Sequence, residues 1–150
     1  MSNSLNDTLE NTRQWFEIAV ANPTSKNIST QIGCHLEEVA EMLETISSIY
    51  KDDAKILASL HDAINYVADR IKQNGGIVVK DPIGLLDSIA DQIVTATGVG
   101  TFLGMNVPGA LAEVNRSNYS KFEDGEPIFN ENKKVMKGKD YTPPDLSPYI

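Results

Sequence analysis

Residues 82–104 read PIGLLDSIADQIVTATGVGTFLG, and the reading of this stretch decides the fold. Asp81 followed by Pro82 is an N-cap acid with proline at the first helical position. From there a predominantly apolar run continues to Gly104, predicting one long helix. Between Pro82 and Asn106 the only formal charges are Asp87 and Asp91. A helix that is apolar nearly all round is expected to be buried. Its two aspartates sit four residues apart, hence ~40° apart and one turn along the same face. A buried carboxylate is costly unless it is paired, protonated or bound to a metal, and two on one face repel each other. No Lys or Arg lies in this helix, so the cation must come from another segment or from solution.

Outward from this helix the chain predicts four more. The first runs roughly over 4–21, with Leu5, Leu9, Phe16 and Val20 on one stripe, and stops at Asn22-Pro23. The second runs roughly from Thr30, read as its N-cap, to Tyr50, with Ile32, Leu36, Val39, Leu43, Ile46 and Tyr50 on one arc. The third starts at Asp52 or Asp53, carries Leu57, Leu60, Ile64, Val67 and Ile71, and ends at Gly75-Gly76, which suits a left-handed C-cap. The fifth follows Asn106, has Pro108 in its first turn, and reaches about Phe122. Beyond it, PIF (127–129) and KVM (134–136) predict a small hairpin around Asn130-Glu131-Asn132, followed by an extended proline-rich tail. The expected fold is therefore all-α, with a helical domain over residues 1–122 and a C-terminal hairpin and tail, 123–150, belonging to the same domain.

Charge excludes one class of partner. The net charge of −8 opposes binding to a nucleic-acid polymer, which relies on Lys and Arg neutralising phosphates. Residues 1–115 hold 15 acids and 7 bases, whereas residues 116–150 hold six of each. An acidic body with a basic end can hold a metal and a small anion together. No apolar stretch approaches the ~20 residues that cross a bilayer. The opening residues lack the basic-then-apolar pattern of a secretory signal, so a cytoplasmic setting is expected. Cys34 is the single cysteine, and with only His35 and His61 beside it the chain lacks the usual ligands of a structural zinc. Trp15 and Phe16 read as core.

The second helix adds further acids. Glu37, Glu38 and Glu41 share an arc of ~100° at spacings of three and four residues. Against the Asp87/Asp91 face they would make an all-oxygen cage, the donor set favoured by Mg²⁺ or Mn²⁺. The other reading is a solvated acidic face, with the aspartates paired to a Lys or Arg from elsewhere. On the fifth helix Asn118 and Lys121 continue the inward stripe of Val107, Ala110, Leu111 and Val114. They either meet a phosphate, or Lys121 reaches past the helix end to solvent while Asn118 caps a neighbouring backbone.

These residues resemble a known family. The run E37-E38-V-A-E41, then L-D87-S-I-A-D91, then E113-V-N-R-S-N118-Y-S-K121, is similar to the all-α nucleoside triphosphate pyrophosphohydrolases. These are the MazG-like and phosphoribosyl-ATP pyrophosphohydrolase-like proteins. The resemblance covers roughly residues 28–146 and includes the trailing K137-G-K-D-Y-T-P-P-D-L146. It implies a four-helix-bundle-type core completed as a homodimer or higher homo-oligomer, and hydrolysis of a nucleoside triphosphate to the monophosphate and pyrophosphate. It implies Mg²⁺, with Mn²⁺ as a substitute, held by Glu38, Glu41 and Asp91 with Asp87 as a substitute ligand, and Glu37 matching an acid that can bind a further metal or position water. Glu37 or Glu38 would handle the attacking water, and Asn118 and Lys121 the substrate phosphates. Ser88 stands where the family's second motif carries a glutamate, and Asp87, one residue earlier on Asp91's face, is the nearest acid. Two alternatives share these residues: phosphoribosyl-ATP pyrophosphohydrolase itself, and a non-catalytic helical dimer that binds nucleotide or metal.

Overall fold

The computed structural model describes residues 4–150, with side chains from Asp7 onward; the expected place of Leu5 on a stripe lies outside the described side chains. The protein is all-α. Five helices, α1 (Ser4–Ala19), α2 (Ser25–Glu44), α3 (Lys51–Asn74), α4 (Pro82–Phe102) and α5 (Val107–Tyr119), are followed by a single 3-10 turn over Ser147–Tyr149. No helix among the described residues is long and apolar enough to cross a membrane. The chain divides into two compact units. One comprises Pro23–Val78 and Phe129–Lys134, and the other comprises the rest.

In the first of these, α2 and α3 pack along each other. They run antiparallel, since Lys26 near the start of α2 donates to the Gln73 carbonyl at the end of α3 (3.0 Å). Ala40 and Ala68 are fully buried, and a Cβ at Gly33 would come 2.9 Å from the Ala68 carbonyl. Small side chains thus bring the two backbones close. The α3 stripe differs from the sequence expectation: Val67 and Leu60 are exposed while Ala68 is buried. The inward face runs through Leu57, His61, Ile64, Ala68 and Lys72, and contains a histidine and a lysine that a count of apolar positions passes over.

The start of α2 is also corrected. Its N-cap is Thr24, whose side chain accepts from the Asn27 N–H while the Asn27 side chain accepts from the Thr24 N–H. This is a capping box with asparagine at its third position, where Glu or Gln is the usual signature. Thr30 lies inside the helix, buried, and donates to the Asn132 carbonyl at 2.8 Å. The helix ends at Glu44, so Ile46 and Tyr50 fall beyond it and are exposed. The end of α3 agrees with expectation, with Gly75 at φ 69° as its cap.

In the other unit α1 packs on α5. The expected α1 stripe of Leu9 and Phe16 is exposed, and the buried residues are Trp15 and Ala19. The reason is hydrogen bonding. Thr12 donates to Asn115 Oδ1 (2.9 Å), Asn115 Nδ2 donates to the Thr8 carbonyl (2.9 Å), and the Trp15 indole N–H donates to the Asn118 carbonyl (2.9 Å). Asn115 is only 5% exposed, so these bonds satisfy groups that would otherwise be buried unpaired. Phe122 stacks on Trp15, with ring centroids 5.6 Å apart.

The long helix α4 begins as expected, with Asp81 Oδ1 accepting from the Ile83 and Gly84 N–H groups. Its burial does not follow. Only Gly100 is buried, while Ile83, Leu86, Val94 and Phe102 are 68–92% exposed. Sequence pattern reports what a helix requires, not whether its own chain supplies it.

The tail is extended, as expected, and docked on α5. Arg116 donates to Thr142 Oγ1 (2.6 Å) and to the Pro143 carbonyl (3.0 Å). Ser117, buried, donates to the Thr142 carbonyl, and Glu113 accepts from the Asp145 N–H at 2.9 Å. The expected reversal near Asn130 is a turn rather than a pair of strands. It is closed by Asn130 N–H to Lys134 C=O (3.0 Å) and Met136 N–H to Ile128 C=O (2.7 Å). The Arg116 guanidinium and the Asp145 N–H hold the Glu113 carboxyl down at about 2. A depressed carboxylate stabilises the folded form above its unfolded value of 4.5, and the effect is lost as pH falls through about 2. Arg116→Ala is therefore expected to lower the protection of the Thr142 and Asp145 amides against hydrogen exchange at pH 7, the two N–H groups of this stretch that donate to Ser120 and Glu113. Equal protection in parent and variant would refute this docking.

Candidate functional site

The α2 acids are positioned by an unbroken helix, so Glu37, Glu38 and Glu41 keep their shared arc. Glu38 and Glu41 are exposed. Glu37 is not equivalent to them. Lys72 of α3 donates to its Oε1, and Lys134 of the 129–134 segment donates to its Oε2 at 3.3 Å. Burial works to raise the Glu37 carboxyl, but the Lys72 hydrogen bond and the charges of Lys134 and Lys72 outweigh it and hold it below the ordinary range. Burial likewise works to lower Lys72, and its bonds to Glu37 and Asp69 more than reverse this.

Sequence reading missed both lysines. The available signal was Lys72 four residues after Ala68, at the register of the α3 inward face, opposite a glycine. A Cβ at Gly33 would meet the Lys72 stem at 2.5 Å, so glycine there leaves a lane across α2 for the lysine. Cys34, half-buried nearby, has its thiol pushed up by burial and by the charges of Glu37 and Glu38, with Lys134 and Lys72 opposing. A thiol raised in this way is a poor nucleophile.

The second acidic set, Asp87 and Asp91, lies in the other unit, on successive turns of α4, and both side chains are exposed. Asn118 and Lys121 belong to that unit too. They are half-buried and joined to each other, Lys121 Nζ donating to Asn118 Oδ1 at 2.7 Å. The Lys121 ammonium also sits 5.9 Å from the centre of the Trp15 ring, which fits Trp15 as core rather than as a stacking platform.

Asn118 is thus brought to Lys121, and Glu37 to two lysines. Among the described residues no three carboxylate, histidine or cysteine side chains gather as a metal group. The α2 and α4 acids contribute one-turn pairs in separate units. Their donors, carboxylate oxygens alone, are of the kind that suits Mg²⁺ or Mn²⁺.

A concavity of about 480 Å³ opens where α2 passes into α3, lined by Leu43, Glu44, Leu57, His61 and Asp62 among others. His61 spans the two carboxylates there, 3.0 Å from each. No family model, curated protein or solved structure matches the chain.

Proposed function

We propose that this protein is a divalent-metal-dependent nucleoside triphosphate pyrophosphohydrolase, cutting between the α- and β-phosphates, and that it works in the cytoplasm as a homodimer or higher homo-oligomer. The observation that carries the reading is a pair of exposed carboxylates on successive turns of α4, in a helix with no other charge. Glu38 and Glu41 on α2 repeat the arrangement at a spacing of three residues.

Glu38 and Glu41 on α2, and Asp87 and Asp91 on α4, are the carboxylates proposed to hold Mg²⁺, which when bound offsets polyphosphate charge and acidifies water. Glu38, exposed and without the lysine partners of Glu37, is the carboxylate suited to accept the proton of the attacking water. Lys121, held by Asn118, presents an ammonium to the phosphates. No nucleophilic side chain is needed, because phosphoryl transfer depends on positioning and electrostatics.

The homo-oligomer is supported by the area of α4. Its 21 residues make a rod about 31 Å long and ~10 Å across. Covering three-quarters of that surface removes on the order of 700 Å² per chain, near the roughly 800 Å² per partner of a stable interface. A second copy of the chain is the occupant we assign. Asp87 and Asp91 in mid-helix oppose a lipid surface, where a charge is expensive.

The test is a panel of canonical and modified nucleoside triphosphates, with phosphoribosyl-ATP, scored for pyrophosphate release under Mg²⁺ and Mn²⁺. More than one turnover per chain is expected. Binding without turnover would leave a nucleotide-binding adaptor in its place. Lys121→Ala is expected to raise KM by roughly 10-fold or more, since a hydrogen bond to a charged group contributes about 1.5–3 kcal/mol. An unchanged KM and kcat would remove Lys121 from the site.

A further inference from the structure

We propose that Glu37, the first acid of the α2 trio, is a positioning residue that anchors the Phe129–Lys134 segment on the α2–α3 hairpin, and that it is neither a metal ligand nor the base. This refines the metal reading above and rests on it only for the metal arm of the test. Both oxygens of the Glu37 carboxylate are engaged, Oε1 by Lys72 and Oε2 by Lys134. A divalent cation there would face two ammonium groups at close range, so one lysine would have to leave. Lys72 is not free to do so. Its side chain is only 12% exposed, its stem crosses α2 at Gly33, and its ammonium is also tied to Asp69 at 3.0 Å.

The segment that carries Lys134 is built to deliver it. Buried Thr30 donates to the Asn132 carbonyl, and Asn130 Oδ1 accepts from the N–H groups of Asn132 and Lys134. Lys133 takes a left-handed φ of 62°, a conformation that non-glycine residues adopt only when their surroundings hold them there. Glu37 completes this set of ties. Of the trio, Glu38 and Glu41, both exposed, are left for a metal to reach.

The test uses the full chain in three variants, Glu37→Gln, Lys134→Ala and Lys134→Arg, with Glu41→Gln as a control. Mn²⁺ alone is the probe, its affinity read by electron paramagnetic resonance, and amide hydrogen exchange is read over residues 129–134. Glu37→Gln is expected to keep Mn²⁺ affinity within about threefold of the parent while exchange in the segment rises about tenfold or more. Lys134→Ala should give the same loosening, and Lys134→Arg, which keeps the charge, should restore protection. A tenfold loss of Mn²⁺ affinity in Glu37→Gln, or unchanged exchange in both Glu37→Gln and Lys134→Ala, overturns the proposal. If the parent and Glu41→Gln hold Mn²⁺ equally poorly, the metal reading fails by itself, and the exchange data still decide whether Glu37 is the anchor.

Discussion

Asp91→Asn is expected to lower kcat for pyrophosphate release by roughly 10²–10³-fold, the scale seen when one charge-stabilising group is removed from a preorganised site. Asparagine has the same shape as aspartate and a similar tolerance for a helix interior, and Asp91 is exposed on α4. Far-UV circular dichroism should therefore match the parent. Mn²⁺ affinity should fall together with kcat, because a neutral amide is a weaker ligand for a hard cation than a carboxylate. Asp87→Asn is the informative companion. Asp87 is the nearest acid to Ser88, where the resemblance leads one to expect glutamate, so a loss as large as that of Asp91→Asn would show that the shift by one residue is tolerated. Parent-like turnover in Asp91→Asn would end the assignment of this pair to the chemistry.

The second large effect concerns association. Leu86 and Ile93 lie about 20° apart around the axis of α4, on the side away from Asp91, and are 69% and 46% exposed within the chain. Their joint replacement, Leu86→Glu with Ile93→Glu, is expected to convert an assembly to monomers. Each buried side chain of this size contributes about 1.5–3 kcal/mol, and a symmetric pair contains four of them. The loss of at least ~6 kcal/mol corresponds to a dissociation constant weakened on the order of 10⁴-fold. Sedimentation velocity at micromolar concentration reads this directly as a change of mass. A parent that sediments as a monomer, or a double variant that sediments like the parent, would remove the second copy from α4. Because both substitutions lie off the carboxylate face, failure here does not touch the Asp91 prediction.

How much of this was legible beforehand differs by element. The starts of α4 and α5 and the end of α3 were readable because their signals are local. Asp81-Pro82, Asn106 with Pro108, and Gly75 act within three residues of the positions they cap. Thr24 was equally local and was passed over because its partner is Asn27 rather than an acid or glutamine. That Glu37, Glu38 and Glu41 share one face and Asp87 and Asp91 another was legible from spacing, since helical period sets this whatever surrounds them, whereas the ligand set among them came from the resemblance.

By itself, then, the sequence determined that the chain is helical, where most helices start and stop, and which acids share a face. Only the tertiary structure decided which side of α1 turns inward, because Thr8 and Thr12 are drawn there by Asn115 and an apolar stripe does not count such bonds. It alone paired Glu37 with Lys72 and Lys134, residues 35 and 97 positions away, and laid the tail along α5 through Arg116 and Glu113. The physical reason is the same throughout: backbone caps and period are set within one turn, whereas the partner of a polar side chain is set by whichever distant segment the fold brings within hydrogen-bond reach.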